Sequence, residues 1–508
     1  MTDTSLNPDR GYAVVLTADR TSMAGYRALF GGMLSASQTT MVPGFIMKHM
    51  VAPPVERDGV RAGRAPLGLR RVEAALLSDG WNRDQVAVVR PEDLEDAVGA
   101  DTRIIGLSSG DPLGVGMNST TMSGVLGGEI YTSRWFRDLA EKIQMLRRKW
   151  RGICTVMGGP GAWQLRARPD VRDELGIDHV VTGNCESNVA RLFREIAGGG
   201  AVSSVLAGRD GVAEAIPPLR GATTMGAVEV SRGCGLGCRF CTLGQVPMQH
   251  VPEQTILSDA ETNVEAGLRT VSLISEDLLR YGAQGAKVRP QALLDLLRTL
   301  RRSVDVGLVQ MDHANVGSVE QYSDDELREL RELMAGDTDG EIWLNLGVET
   351  AAGELLAANG GRPKMVGCPP EDWGELCVEQ VRRLVQAGFL PLVSLVLGLL
   401  GETRDDVRAT YEWVKRLEDE KVAVFPMFYA PPNDEDSAFT VDDMTDEHWR
   451  LFKQSYRLNF RWMPELCWNN QSHSGVPLWR RCAIRAMSSV GTAWWKCVFA
   501  WRSGKLTV

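Results

Sequence analysis

Three cysteines stand close together in the stretch VEVSRGCGLGCRFCTLG, at Cys234, Cys238 and Cys241. This C-x3-C-x2-C spacing follows a strand-like run, Ala227 to Val230, and its loop holds Gly233, Gly235 and Gly237. Three thiolates on one short loop can each take one iron of a 4Fe-4S cube, because a glycine-rich backbone can fold closely around the cluster. The fourth iron is then open to a ligand that is not protein. A zinc site is the alternative; it would want a fourth protein ligand, and His250 is the only nearby candidate. Cys154, Cys185, Cys368, Cys377, Cys467, Cys482 and Cys497 are scattered and read as small buried hydrophobes.

The elements that must hold this loop follow it. Short apolar runs, Thr270–Ile274, Val306–Met311, Ile342–Val348, Leu392–Leu397 and Val422–Phe428, alternate with the helical patterns Pro290–Arg302, Asp324–Met334, Trp373–Ala387 and Arg404–Leu417. With the strand before the cysteines they make six βα units, the pattern of a parallel α/β sheet or barrel. Chemistry in such sheets gathers at the carboxyl ends of the strands. Ser275, Glu276 and Asp277 end the second strand, Asp312 to Asn315 the third, and Gly347 to Thr350 the fourth, while the fifth carries Ser394. One acidic residue after a strand is ordinarily a helix N-terminal charge; four polar ends in register with the cysteine loop point to a site. The GETRDD stretch reads as a plain helix start, capped by Thr403 with Asp405 and Asp406 in the first turn.

The cysteine spacing, together with Phe240, resembles the cluster loop of the radical S-adenosylmethionine (radical SAM) superfamily. That resemblance implies a partial (β/α)6 TIM-like barrel over residues 220–435. It implies a 4Fe-4S cluster on Cys234, Cys238 and Cys241 that chelates SAM and splits it reductively to a 5′-deoxyadenosyl radical, with an electron donor of flavodoxin or ferredoxin type. By the same resemblance Phe240, Glu276, Glu349 and Ser394 contact SAM, Glu276 at its amine and Glu349 at the ribose or adenosine.

Residues 1–210 read as a separate α/β unit. Strand-like Tyr12–Thr17 leads into an irregular segment to about Pro66, then a helix near Leu69–Leu77, a strand Gln85–Val89, a helix Pro91–Val98, a strand Arg103–Leu107, a helix Ser133–Lys149, and strands Ile153–Met157 and His179–Val181. This order predicts a doubly wound, Rossmann-like parallel sheet. Glycine-rich loops follow three strands: SSGDPLGVG at Ser108–Gly116, GGPGA at Gly158–Ala162 and TGNCES at Thr182–Ser187. No G-x-G-x-x-G opens a helix here, which argues against a dinucleotide. An α/β unit of this kind before a radical SAM barrel is similar to the cobalamin-binding-domain class of radical SAM enzymes, where GGP and G-x-x-E elements recur. The resemblance implies a cobalamin site lined by Ser108, Ser109, Gly158, Gly159 and Gly183. The D-x-H-x-x-G signature whose His ligates cobalt is missing: the loop reads Asp111, Pro112, Leu113, Gly114.

From Trp449 onward the chain holds seven of its 14 tryptophans among Arg461, Arg480, Arg481, Arg485, Lys496, Arg502 and Lys505. Residues 440–508 read as a helical C-terminal region, with Pro477–Lys505 an amphipathic helix or helix pair. It either packs its tryptophans against the barrel mouth or lies at a membrane surface with Trp and Arg at headgroup level. The segment Gly360–Trp373 resembles a loop of lipid-acting radical SAM enzymes. For the whole chain of 508 residues, 44% hydrophobic and 24% charged residues exclude disorder and a small disulfide scaffold. A formal charge of −9 argues against a nucleic-acid partner. The polar, acidic start carries no secretory pattern, and the apolar run Leu390–Leu400 is too short to span a bilayer. The expected location is the cytoplasm, free or at a membrane surface. The expected reaction is carbon–carbon bond formation at an unactivated carbon of a small-molecule or lipid substrate by cobalamin-dependent C-methylation. The alternative is cobalamin-independent ring closure or chain coupling on an isoprenoid lipid.

Overall fold

The structure is a computed structural model that describes residues 10–209, 211–431 and 437–502. Residues 1–9 of the expected first domain and Lys505 of the basic tail lie outside the described residues.

Six strands form the first sheet: β1 (Val14–Ala18), β2 (Val86–Val88), β3 (Ile104–Ser108), β4 (Cys154–Gly158), β5 (His179–Thr182) and β6 (Val205–Ala207), in the order β2-β1-β3-β4-β5-β6, all parallel. β1 and β3 are buried along their whole length, as near-continuous apolar runs require when both faces are covered. Val15, Ile105 and Met157 pack with Phe136 on one face, and Val14, Leu16 and Val156 pack with Phe193 on the other. Of the helices used below, α1 is Leu29–Ala36, α2 is Met117–Leu126 and α3 is Tyr131–Lys149. α3 buries Phe136, Leu139, Ala140, Ile143 and Leu146 at helical spacing and ends in Arg147, Arg148 and Lys149, which complement its dipole. The strand β6 and the helices α1 and α2 were not legible, since none carries a sustained period.

Beyond this sheet come β7 (Ala227–Glu229), β8 (Thr270–Ile274), β9 (Leu308–Met311), β10 (His313–Asn315), β11 (Ile342–Glu349), β12 (Phe389–Leu397) and β13 (Ala423–Phe428). Neighbours pair in parallel as β7-β8-β9 and β10-β11-β12-β13. The expected third strand is therefore two pieces: it changes partner at Asp312, whose carbonyl accepts the Asn345 amide at 2.8 Å. Helices such as Pro290–Ser303 and Trp373–Gln386 lie between the strands and bury their leucine and valine stripes.

Two long helices end the described chain, α4 (Asp446–His473) and α5 (Leu478–Arg502). Of the tryptophans, Trp449 and Trp495 pack with the barrel core that holds Phe428 and Tyr429 at the carboxyl end of β13. α4 covers the free edge of β13 and reaches the opposite end of the barrel, where Leu466 and Phe30 of α1 close on Trp343, Leu390 and Leu392. Phe30 and Trp343 meet edge to face at 6.0 Å. Asn459 of α4 takes the place of a neighbouring strand: its amide accepts from the Val424 N–H and donates to the Val424 carbonyl, both at 2.7 Å. Asn470 does the same service for the Trp343 indole at 2.9 Å. Cys482 and Cys497 are not small buried hydrophobes but exposed on α5.

Because Asn459 is buried and satisfies two buried backbone groups, Asn459→Leu strands both of them. A loss of about 2–4 kcal/mol is expected, read as a lower urea midpoint. Asn469→Ala, at a more open contact with the Glu341 amide, is expected to cost about 1 kcal/mol or less.

Candidate functional site

The cysteine loop leaves β7 through a two-residue antiparallel pairing, Ser231–Arg232 with Gln249–His250, which closes it at its base. Gly233 sits at φ +70°, and a Cβ there would lie 2.6 Å from the Pro247 carbonyl oxygen, so no other residue fits the turn. The Cys234 N–H donates to the Val246 carbonyl at 3.0 Å and the Gly237 N–H to that of Gly244 at 2.8 Å, which folds the loop on itself. Cys238 is buried, and Cys234 and Cys241 are partly so. Burial pushes all three thiols up, Cys238 to about 11, with the Lys364 ammonium pulling the other way at Cys238 and Arg280 at Cys234. Bound iron must therefore displace protons from these thiols.

The donor set fits a 4Fe-4S cluster. Arg280 reaches the loop from beyond β8, donating to the Cys234 carbonyl at 2.8 Å, with the sulfur at 3.8 Å. Among the described residues no three His, Cys, Asp or Glu side chains gather closely enough to share a single ion; a cube instead takes each thiolate on a different iron. His250, the fourth ligand a zinc site would need, is held by the Ala283 carbonyl at 3.1 Å and packs edge to face on Tyr281. Phe240 lies in the main core beside Cys238.

The strand ends divide their work. Ser275 bonds Ser231 at 2.6 Å, and buried Asp277 accepts from the Ser318 hydroxyl at 2.6 Å and the Asn315 N–H at 3.3 Å, so both serve the scaffold. Glu276 between them is exposed and makes no hydrogen bond among the described residues, yet surrounding protein pushes its carboxyl pKa up. It therefore stands in a recess. His313 bonds Asp312 at 3.0 Å and is likewise accessible but enclosed. Burial opposes its charge, but Asp312, with Glu276 and Glu349, raises it to about 9.

Glu349 ends β11 at φ +66°, after a bulge that shifts the register between Gly347 and Glu349. A positive φ on a residue with a side chain costs energy, and here it aims the carboxylate at Lys364 in a buried ion pair. Gly347 makes room, since a Cβ there would lie 2.5 Å from the Glu349 carboxylate and 2.6 Å from the Lys364 nitrogen. Burial disfavours the Lys364 charge, but Glu349 and the Cys238 thiol outweigh it and raise its pKa. The segment Gly360–Trp373 thus delivers Lys364, and it rests on the cysteine loop, where the Arg239 N–H donates to the Asn359 carbonyl at 3.0 Å. Ser394 lies beside Gly347 in register, partly open, and its side chain makes no hydrogen bond among the described residues. The structure therefore brings Glu276, Glu349 and Ser394 to the strand ends near the cysteines. His313, at the third of the polar strand ends, joins them, and so do Lys364 and Arg280, which come from loops whose approach no periodicity reveals.

The loops of the first sheet face this region. Gly159 has φ +88°, and a Cβ there would strike the Ser108 hydroxyl at 2.4 Å. Cβ atoms at Gly110 and Gly183 would meet nothing within 4 Å, so the strand ends open into free space. Ser108 and Ser109 are buried at the end of β3. Asp111 is consumed within its own loop, accepting from the Val115 and Gly116 amides and from Gln164. Leu113, at the place of the missing His, packs against the core. Glu186, on the loop after β5, pairs bidentately with Arg232, at 2.6 and 3.3 Å, and Arg232 also grips Glu229 at 2.6 Å. Arg232 is two residues before Cys234, so one buried guanidinium ties the two loops together. Thr121 of α2 adds a second tie, accepting from the Phe428 N–H at 2.7 Å.

Comparison with known proteins agrees with this geometry. The family described as the Radical SAM superfamily matches residues 228–414. Ribosomal protein uS12 methylthiotransferase RimO of Trichlorobacter lovleyi is 22% identical over 329 residues, 63% of this chain and 69% of that protein. The RimO of Myxococcus xanthus is 24% identical over 288 residues, 56% of each chain, so the match spans little more than half of that relative. The solved structure of TsrM from Kitasatospora setae, a radical S-adenosylmethionine methyltransferase with cobalamin and a [4Fe-4S] cluster bound, superposes with a TM-score of 0.51 at 16% identity, covering 82% of this chain and 75% of TsrM, a likeness of fold. The protein carries a radical SAM domain over residues 228–414, which implies a 4Fe-4S cluster and SAM and supports an enzyme of that type.

Proposed function

We propose that the protein is a cobalamin-dependent radical SAM methyltransferase that forms a carbon–carbon bond at an unactivated carbon. One observation carries this reading: the open glycine-lined ends of the first sheet are joined to the cysteine loop by the buried Glu186–Arg232–Glu229 contact. The fold likeness to TsrM, a cobalamin-bound methyltransferase, supports it. When bound, the cluster supplies the electron that splits SAM, and cobalamin supplies a transferable methyl group.

In this reading residues 1–210 hold cobalamin, 220–435 hold the cluster and SAM, and 440–508 form the helical region. Cys234, Cys238 and Cys241 ligate the cluster. Glu276, unpaired in its recess, accepts from the SAM amine. Glu349, oriented by Lys364, accepts from the ribose or adenosine, with Ser394 and Phe240 as neighbouring contacts. His313, held charged by Asp312, stands among these carboxylates. Ser108, Ser109, Gly158, Gly159 and Gly183 line the cobalamin crevice, and Leu113 offers cobalt no ligand. A flavodoxin or ferredoxin supplies electrons.

Anaerobic reconstitution tests this. The protein is expected to take up cobalamin and about four irons per chain, and to transfer a methyl group from SAM; absence of both bound cobalamin and methylated product removes the reading in favour of radical ring closure or coupling. Cys238→Ala is expected to lose the iron–sulfur absorbance and all 5′-deoxyadenosine formation. Gly110→Phe, which fills open space without touching the cysteine loop, should reduce bound cobalamin on the order of tenfold or more while iron content stays constant. For the ion pair, Lys364→Met strands a buried carboxylate and should cost about 3–5 kcal/mol in the iron-free protein. Adding Glu349→Gln should return much of that stability, measured as urea midpoints, while raising the KM for SAM about tenfold.

A further inference from the structure

A surface helix ordinarily turns its apolar stripe inward and its charges to water. α5 packs Trp495 and Phe499 inward but keeps a second apolar stripe facing out. Of its 25 residues only Phe499 and Ala500 are buried. Its outward stripe, at helical spacing, runs through Leu478, Trp479, Ala486, Val490, Ala493 and Trp501, all exposed. Leu478 is 62%, Trp479 65%, Val490 72% and Trp501 69% open to solvent.

This is not a helix adrift from the protein. Near its start Arg480 donates to the Met50 carbonyl at 3.0 Å. Arg481 lies 4.1 Å over the Trp468 ring of α4. Near its end Trp495 stacks on Tyr456 at 4.6 Å, and Phe499 meets Phe452 and Tyr456 edge to face. Both ends are fixed to the body, so the apolar stripe is held outward.

Charge says what would cover it. α5 carries Arg480, Arg481, Arg485, Lys496 and Arg502 and no acidic residue, in a chain whose formal charge is −9. Arg485, Lys496 and Arg502 are exposed alongside the apolar stripe. No helix among the described residues is long and apolar enough to cross a membrane. An apolar stripe flanked by cations, on a helix that cannot span, suits lying in the plane of an anionic bilayer, with Trp and Leu among the acyl chains and Arg and Lys at the phosphates. A nucleic acid would use the cations but would leave Leu478 and Val490 without partners.

We infer that the outward face of α5 docks the protein on an anionic phospholipid surface. The test uses the full chain with its cluster reconstituted, sedimented with phosphatidylglycerol-containing vesicles and with vesicles of phosphatidylcholine alone. Binding to the anionic vesicles is expected to be at least about tenfold tighter and to weaken with salt. Trp479→Ser/Val490→Ser/Trp501→Ser should lose that binding, and Arg485→Glu/Lys496→Glu should lose the preference for anionic lipid. Both variants change exposed positions only and should form 5′-deoxyadenosine at the parent rate. Equal binding to the two vesicle types, or unchanged binding by the triple variant, overturns the inference. So does a single-stranded oligonucleotide that binds in place of vesicles, or a concentration-dependent dimer that the triple variant dissolves while vesicles go unbound.

Discussion

One guanidinium holds the two halves of the site in register. Arg232 is almost fully buried between Glu186 of the first sheet's loops and Glu229 of the first barrel strand. Burial disfavours its charge, and the two carboxylates more than restore it. Arrangements of this kind are weak contributors to net stability, because removing three charged groups from water costs about what their attraction returns. Their value is positional. A bidentate fork accepts carboxylates only at certain angles, so the loop after β5 and the cysteine loop are fixed relative to one another. Arg71 extends the network, bonding Asp259 at 2.6 Å and lying 3.6 Å from Glu229.

Around that joint the protein spends strain and buried charge at the strand ends. Glu349 takes a positive φ, and so does Val366, a β-branched residue for which that conformation is rarer still. The two flank Lys364. The ammonium of Lys364, paired with buried Glu349, and the guanidinium of Arg280 approach the cysteine loop, while Glu276 and Asp312 lie on the more open side with His313 between them. Cations beside the thiols favour their ionised, iron-binding form; carboxylates in a recess suit an amine or hydroxyl donor. The Lys364–Glu349 pair links the two groups of charge, so the cysteine loop and the strand ends are electrostatically coupled.

Much of this was legible in the sequence. All the barrel strands except β10 fall where apolar runs lie between helical patterns, because a parallel strand covered on both faces must be apolar throughout. The Thr403 cap forms as read, with Asp406 completing a capping box. What escaped was long-range. Phe30 sits in a stretch without period, yet it closes the barrel's amino end by packing on Trp343, 313 positions further along the chain. Asn459 looks like any polar residue on a helix until it is placed against an unpaired strand edge. The seven tryptophans near the end divide: Trp449 and Trp495 pack on the barrel core, while Trp479 and Trp501 of α5 stay exposed.

The amino-acid sequence by itself determined the ligand set and the order of elements. Three cysteines on a glycine loop are brought together by local geometry, and strand or helix follows from a period that neighbours a few residues apart can set. Only the tertiary structure decided which charges meet. Lys364 finds Glu349 across 15 residues, Arg280 finds Cys234 across 46, and Arg232 finds Glu186 across 46. Such pairings depend on how loops close over a packed core, and electrostatic partners in water carry no signal along the chain that marks them in advance.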